Sequence, residues 1–236
     1  MENSLKSKIA GFLQWYQDLY GGEWYIETPN PAAAEKRPGQ TAALGNSTLQ
    51  QFHRAIENCQ NCPLGRTRTK FVFGTGHENA GIMFIGEAPG QDEDLQGIPF
   101  VGRAGQLLNK LLANVQLKRE EVYIANILKC RPPNNRDPQP EEVEQCIPYL
   151  QRQIEMIQPK LLVALGRVAA QNLLNTTESL TNMRKRVWSY REIPLIVTYH
   201  PAFVLRYNDK FDSAMEDMRF ILEHYQKLPE KEKPGR

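Results

Sequence analysis

The feature that most constrains the fold of this chain is a recurring pair: a short, wholly apolar run followed by a stretch with helical periodicity. The runs are Ile82-Met83-Phe84-Ile85, Val122-Tyr123-Ile124-Ala125-Asn126-Ile127-Leu128, Leu161-Leu162-Val163-Ala164-Leu165 and Pro194-Leu195-Ile196-Val197-Thr198-Tyr199. Each is short and lacks polar alternation, which describes a strand buried on both faces. The intervening helices show as Leu107, Leu108, Leu111 and Leu112 within 104–114, as Val143, Ile147, Leu150, Ile154 and Ile157, and as Ala169, Ala170 and Leu173. A last helix carries Ala214, Met218, Ile221, Leu222 and Tyr225. Strands alternating with helices predict an α/β fold with a parallel sheet covered on both sides. Phe71-Val72-Phe73 reads as a further short strand, separated from the next by a glycine-rich turn.

Parallel strands bring their carboxyl ends to one edge, and ligands of open α/β sheets bind beyond that edge. The run at 82–85 ends at Gly86 and delivers Glu87 into Ala88-Pro89-Gly90, with Asp92, Glu93 and Asp94 close behind. Asn126 and then His200 stand at the ends of two later strands. Singly, these read as a solvated acidic loop, a turn-capping amide and a loop histidine before proline. Together, from three separated strands, they predict one polar site.

The extremities differ in character. Leu5, Ile9, Phe12, Tyr16 and Leu19 give residues 1–27 an amphipathic helix, with docking in cis or on a partner as its two uses. Residues 28–46, rich in proline and alanine, read as a linker. A domain over 47–228 begins at Ser47, an expected N-cap with Gln50 in the capping-box place, and 229–236 is expected to be a flexible tail. Net charge is only +2, so nucleic-acid binding has to come from local clusters such as Arg66 to Lys70 or Arg184-Lys185-Arg186. No run is long enough to span a membrane, and Lys6, Lys8, Gln14 and Asp18 interrupt any signal-like core. The expected location is therefore intracellular, in the cytoplasm.

In such a compartment four cysteines point to a metal site rather than to disulfides. Cys59 and Cys62 have the two-residue gap of a chelating pair, while Cys130 and Cys146 flank a proline-rich loop. Four thiolates serve zinc or an iron–sulfur cluster, and spacing leaves both open. Arg66, Arg68, Lys129 and Arg131 lie near these cysteines in sequence and suggest a DNA-facing surface.

Five motifs then combine: Cys59-x2-Cys62-Pro-Leu, Gly86-Glu-Ala-Pro-Gly-x2-Glu-Asp, Gly97-x-Pro-Phe-Val-Gly-Arg-Ala-Gly, Asn126-x3-Cys130-Arg-Pro-Pro-x-Asn-Arg and His200-Pro-Ala. In this order, over roughly residues 47–226, they closely resemble family 4 uracil-DNA glycosylases. The resemblance implies a three-layer α/β/α fold around a four-stranded, mainly parallel sheet. It implies a [4Fe-4S] cluster on Cys59, Cys62, Cys130 and Cys146, and hydrolysis of the N-glycosidic bond of deoxyuridine in DNA, which starts base excision repair.

By resemblance, Phe100 stacks on the flipped base and Asn126 reads it, since an amide offers a donor and an acceptor to O4 and N3–H. His200 would donate to O2 of the departing uracil, and Glu87 would orient water and stabilise the oxocarbenium-like sugar. Ala88 would contact uracil through its backbone, and Glu93 would stand beside C5 and exclude thymine's methyl group. Leu205 would wedge into the minor groove, with Arg206, Arg184 and Arg186 on phosphates. Uracil-containing DNA, double- or single-stranded, is the implied partner of a monomer, and a repair or replication protein could meet the N-terminal helix. The competing readings are a non-catalytic DNA-binding protein with a structural metal, a zinc hydrolase, and a relative that traps DNA covalently through a loop histidine. The loop after Cys130 has no histidine for the last of these.

Overall fold

A computed structural model describes residues 48–230, so the expected N-terminal helix, the linker, Ser47 and the end of the tail lie outside the described residues. In chain order the helices and strands are α1 (Leu49–Ile56), α2 (Leu64–Thr67), β1 (Thr75–Gly76), β2 (Ile82–Gly86), α3 (Gln91–Gln96), α4 (Arg103–Asn114), β3 (Tyr123–Asn126), α5 (Pro140–Ile157), β4 (Leu161–Leu165), α6 (Arg167–Leu174), α7 (Leu180–Met183), β5 (Val187–Tyr190), β6 (Ile193–Thr198), α8 (Pro201–Arg206) and α9 (Phe211–Lys227). Among the described residues no helix is long and apolar enough to cross a membrane.

The sheet has the order β1-β3-β2-β4-β6-β5, with β3, β2, β4 and β6 parallel to their neighbours. These four strands are the expected parallel core. Two antiparallel edges, β1 and β5, enlarge the sheet to six strands rather than four. The β5 edge exists because Arg191 and Glu192 both adopt positive φ, 48° and 68°, as a two-residue hairpin turn requires. Arg-Glu carries none of the usual glycine or asparagine signal for such a turn, which hid the strand in the sequence.

Alternate residues of each central strand face opposite layers. Met83, Ile85, Ala125, Leu162, Ala164, Leu195 and Val197 pack with Phe52, Leu150, Ile154 and Ala170 on one side. Ile82, Phe84, Ile124, Val163, Leu165 and Ile196 pack with Leu108, Leu112, Met218 and Ile221 on the other. This is a three-layer α/β/α arrangement, and it explains why the strands show no polar face.

Two local expectations change. Phe71-Val72-Phe73 is not a strand: Val72 N donates to Lys129 O at 2.9 Å, but the rings turn to α1, with Phe73 5.7 Å from Phe52 and 4.4 Å from His53 between centroids. The α1 N-cap is Thr48, whose hydroxyl accepts from Gln51 N while Gln51 Oε1 accepts from Thr48 N, one residue later than expected.

Candidate active site

β2 and β3 end side by side, with Gly86 paired to Asn126, and the next residues continue that pairing through Ile127 N to Gly86 O and Leu128 N to Glu87 O. β6 ends at Thr198, two residues before His200. Glu87, Asn126 and His200 consequently line one cavity of about 380 Å³, together with Ala88, Phe100 and Arg206. Beyond those sequence-derived candidates, the same cavity has Asn135, Arg136 and Asp137 on its wall.

Asn126 is 1 % exposed and its Oδ1 has no hydrogen-bond partner among the described residues. An unpaired buried acceptor is costly, and a native fold keeps one chiefly where a ligand will supply the donor. Gly86 is required beside it, because a Cβ there would collide with Asn126 Oδ1 and the ring of Phe100. Phe100 is buried with φ at 53°, a strained backbone for an aromatic residue, and its ring centroid lies 5.7 Å from that of His200.

The loop carrying Phe100 is held at both kinds of backbone group. Glu93 accepts from Gly90 N at 3.1 Å, and from Val101 N and Gly102 N at 2.9 Å each. Arg119 donates to Phe100 O at 3.1 Å and to Pro99 O at 2.5 Å. Glu93 thus has both oxygens tied to the backbone that shapes the pocket. Arg119 carried no motif and was missed by the sequence reading. Asp94 is also internal, accepting from Thr69 N at 2.9 Å.

His200 caps α8: Nδ1 accepts from Ala202 N at 3.1 Å, which leaves the proton of the neutral ring on Nε2. Burial lowers its pKa to about 4, against a raising influence from Glu93. Gly166, with φ at 93°, lets it approach, since a Cβ there would stand 2.8 Å from His200 Cβ. Glu87 is shifted the other way, to about 7, first by desolvation and then by Asp137, with Arg167 opposing. Arg167 Nη2 is 3.4 Å from Asp137 Oδ2, so the charge pattern around Glu87 comes from the loop before α5 and the first residue of α6. Glu87 and His200 line one cavity in environments that move their pKa values in opposite directions, the carboxyl up and the imidazole down.

Cys59 and Cys62 lie between α1 and α2, Cys130 four residues beyond β3, and Cys146 in the first half of α5. Cys130 feels the charges of Cys62 and Cys59, and Cys146 those of Cys130 and Cys62. Tyr149 OH donates to Cys59 Sγ at 3.2 Å, Arg68 Nη1 to Cys130 Sγ at 3.4 Å and Lys129 N to Cys146 Sγ at 3.2 Å. Burial pushes the Cys130 and Cys146 thiols up to about 11 and about 12. Among the described residues no three such side chains close tightly enough to hold a single metal ion.

Residues 73–223 match the uracil DNA glycosylase superfamily. The type-4 uracil-DNA glycosylase of Archaeoglobus fulgidus is 49 % identical over 166 residues, 67 % of this chain and 83 % of that protein. The chain belongs to the type-4 uracil-DNA glycosylase family. The relatives of that name from Sulfurisphaera tokodaii and Thermotoga maritima are 43 % and 41 % identical, covering 72 % and 73 % of this chain and 81 % and 88 % of theirs.

Within this family member, the expected DNA contacts separate. Arg206 is exposed at the pocket rim and Leu205 is half-buried beside it. Arg186 is exposed over the ring of Trp188. Arg184 does not present itself to a phosphate: it is 9 % exposed, pairs with Asp217 through two bonds of 2.8 Å, and lies 3.8 Å over Tyr199. Asp217 also accepts from Thr198 Oγ1 at 2.7 Å, so Arg184 fastens the end of β6 to α9.

Proposed function

We propose that this cavity excises uracil from DNA with Asn126 as the base reader, Glu87 as the water-orienting carboxylate and His200 as the donor to the leaving base. Membership of the family makes the chain an N-glycosyl hydrolase acting on uracil in DNA. The observation that carries the residue assignment is the open acceptor, Asn126 Oδ1, buried beside the face of Phe100. Uracil offers N3–H to that acceptor, whereas cytosine has an acceptor at N3 and would leave both atoms unpaired.

The base has to leave the stack, at a cost of a few kcal/mol that is smallest in single strands and mismatches. Phe100 supplies the flat apolar surface that receives the ring. The wedge assigned to Leu205 would fill the vacated space, with Arg206 and Arg186 on phosphates. As the glycosidic bond breaks, the sugar gains positive charge and uracil O2 gains negative charge. Nε2–H of a neutral His200 stabilises the anion without bringing a proton that must later be removed. Ionised Glu87 faces the cationic sugar and the incoming water, so its deprotonated form is the active one. Ala88 borders the base at the β2 end. Glu93 shapes this region through the three backbone amides it accepts from, and thereby places the pocket wall near C5 where thymine would carry its methyl group.

The donor set of Cys59, Cys62, Cys130 and Cys146 fits a [4Fe-4S] cluster: four thiols, three of them already receiving hydrogen bonds of the kind that stabilise ligating sulfur. When bound, the group supplies cross-linking of α1, the β3 end and α5, and with it folding free energy. The catalytic domain is assigned to residues 47–228, and residues 1–46 are left for an interaction arm and its linker.

An oligonucleotide with one deoxyuridine, treated with the protein and then with alkali, is expected to break at that nucleotide alone. Asn126→Asp should lower uracil excision about 100-fold, the scale of a mismatched buried hydrogen bond, and raise activity on cytosine. Absence of any strand break at every protein level would overturn the glycosylase reading, and an unchanged base preference in Asn126→Asp would overturn the assignment of the reader.

A further inference from the structure

We infer that Lys129 is a positioning residue that ties the base-reading end of β3 to the four-cysteine lobe. The inference rests on the reading of Asn126 as base reader. Lys129 is 0 % exposed, although burying an ammonium is among the costlier events in folding unless a partner answers its charge. A carboxylate is the usual answer. Here the acceptors of Nζ are neutral: Asn126 O at 2.9 Å and Gln153 Oε1 at 2.6 Å. Among the described residues no ion pair to Asp or Glu involves Lys129. Its own backbone N–H donates to Cys146 Sγ at 3.2 Å and Cys130 follows it in the chain, so thiolates holding a cluster would stand beside the ammonium.

The side chain therefore spans two functions. One end belongs to the backbone that bonds a cysteine sulfur. The other folds back three residues and holds the carbonyl of Asn126. The peptide between Asn126 and Ile127 is pinned on both edges, by Lys129 Nζ on its oxygen and by Gly86 O on its N–H at 3.0 Å. A peptide fixed in this way fixes the direction in which the Asn126 amide leaves the backbone. That direction matters because Oδ1 has no partner among the described residues and Asn126 lines the cavity.

Gln153 completes the clamp. It is 0 % exposed and sits two helical turns after Cys146 on α5, so both residues face the β3 end. Its Nε2 donates to Phe73 O at 2.9 Å, which leaves Oε1 free to receive Lys129 and no other orientation that satisfies both. An apolar residue of similar length at 129 would leave Asn126 O and Gln153 Oε1 buried without donors.

The test uses cluster-loaded protein and three variants: Lys129→Met, the near-isosteric Gln153→Glu, and Asn126→Ala as the control for the base reader. Inhibition by free uracil, affinity for abasic-site DNA and the midpoint potential of the visible-absorbing centre are measured on each. Lys129→Met should weaken uracil inhibition about 10-fold, leave abasic-DNA affinity within about twofold, and lower the midpoint potential because a cation beside anionic sulfur is lost. Gln153→Glu, which draws the ammonium off Asn126 O without changing volume, should weaken uracil inhibition in the same direction and carries the test if Lys129→Met fails to retain the centre. A purely structural lysine would reduce the yield of loaded protein and move neither uracil inhibition nor potential in the loaded fraction. Unchanged uracil inhibition in the lysine and glutamine variants, with inhibition lost in Asn126→Ala, overturns the inference. Uracil inhibition retained in Asn126→Ala overturns the base-reader assignment instead.

Discussion

The pocket and the cysteine lobe lie at opposite ends of the same few residues, Asn126 to Cys130, and treat buried polar atoms in opposite ways. In the pocket Asn126 Oδ1 is left without a donor, and burial holds Glu87 near neutrality. Around the cysteines, Tyr149, Arg68 and the Lys129 amide already aim hydrogens at sulfur. On the proposed assignments, the difference separates a transient occupant from a permanent one. A substrate must bring its own hydrogen bonds and take them away again, so the protein leaves the matching atoms open. A resident centre is served by donors that stay in place.

Removing a sulfur should give the largest effect and the clearest break between the two regions. Cys146→Ala deletes a thiol that joins α5 to the β3 end, and the midpoint of thermal unfolding is expected to fall by about 10 °C or more along with the visible absorbance. A variant that lost colour but kept its unfolding temperature would show that the lobe does not hold the fold together.

The pocket should answer to pH instead. With the active carboxylate shifted up to about 7, kcat/KM is expected to rise about tenfold per pH unit below that value and to level above it. No second limb from His200 should appear above about pH 5, because burial already keeps that ring neutral there. Stability runs in the opposite direction. A carboxyl whose folded pKa exceeds its unfolded one contributes stability that is complete below its ordinary range, near 4.5, and lost as pH rises through about 7. Glu87→Gln should accordingly unfold at a higher temperature than the parent above pH 7, with the gap closing below about pH 4.5, while its residual activity no longer follows pH. A parent protein more stable than Glu87→Gln at pH 8 would contradict the desolvated carboxylate.

The smallest effect sharpens the electrostatics of the pocket wall. Asp137 raises the pKa of Glu87 from across the cavity, so Asp137→Asn should move the rising limb of the pH profile to lower pH by a fraction of a unit. An alkaline displacement would contradict that influence, because losing Asp137 also frees the Arg167 guanidinium, which itself lowers the Glu87 pKa.

Several of these residues are legible in the sequence. Glu87, Asn126 and His200 follow strand-like runs, and parallel strands carry whatever follows them to one edge. The four cysteines are proposed as one set from a short gap and a proline loop, and the hydrogen bonds to Cys59, Cys130 and Cys146 support that reading. Glu93 was recognisable as part of the site but not in its structural role, because two of its backbone donors lie eight and nine residues further on in a loop whose shape depends on Phe100 adopting positive φ. Arg184 looked like its neighbours Lys185 and Arg186. Its distinction comes from Asp217, 33 residues away on α9, which draws it into the protein. Asp137 and Arg136 gave only the faint signal of polar residues in a proline-rich loop beyond a strand.

The layered α/β architecture, the family and the edge at which the chemistry gathers are all written in the chain, because hydrophobic periodicity and motif spacing are properties of neighbouring residues. Packing of the layers settles which acid has its pKa raised to about 7, which arginine is withdrawn from solvent, and that Lys129 is buried between Asn126 O and Gln153 Oε1. Those outcomes depend on desolvation and on pairing between segments far apart in the chain, and neither exists until the layers have packed.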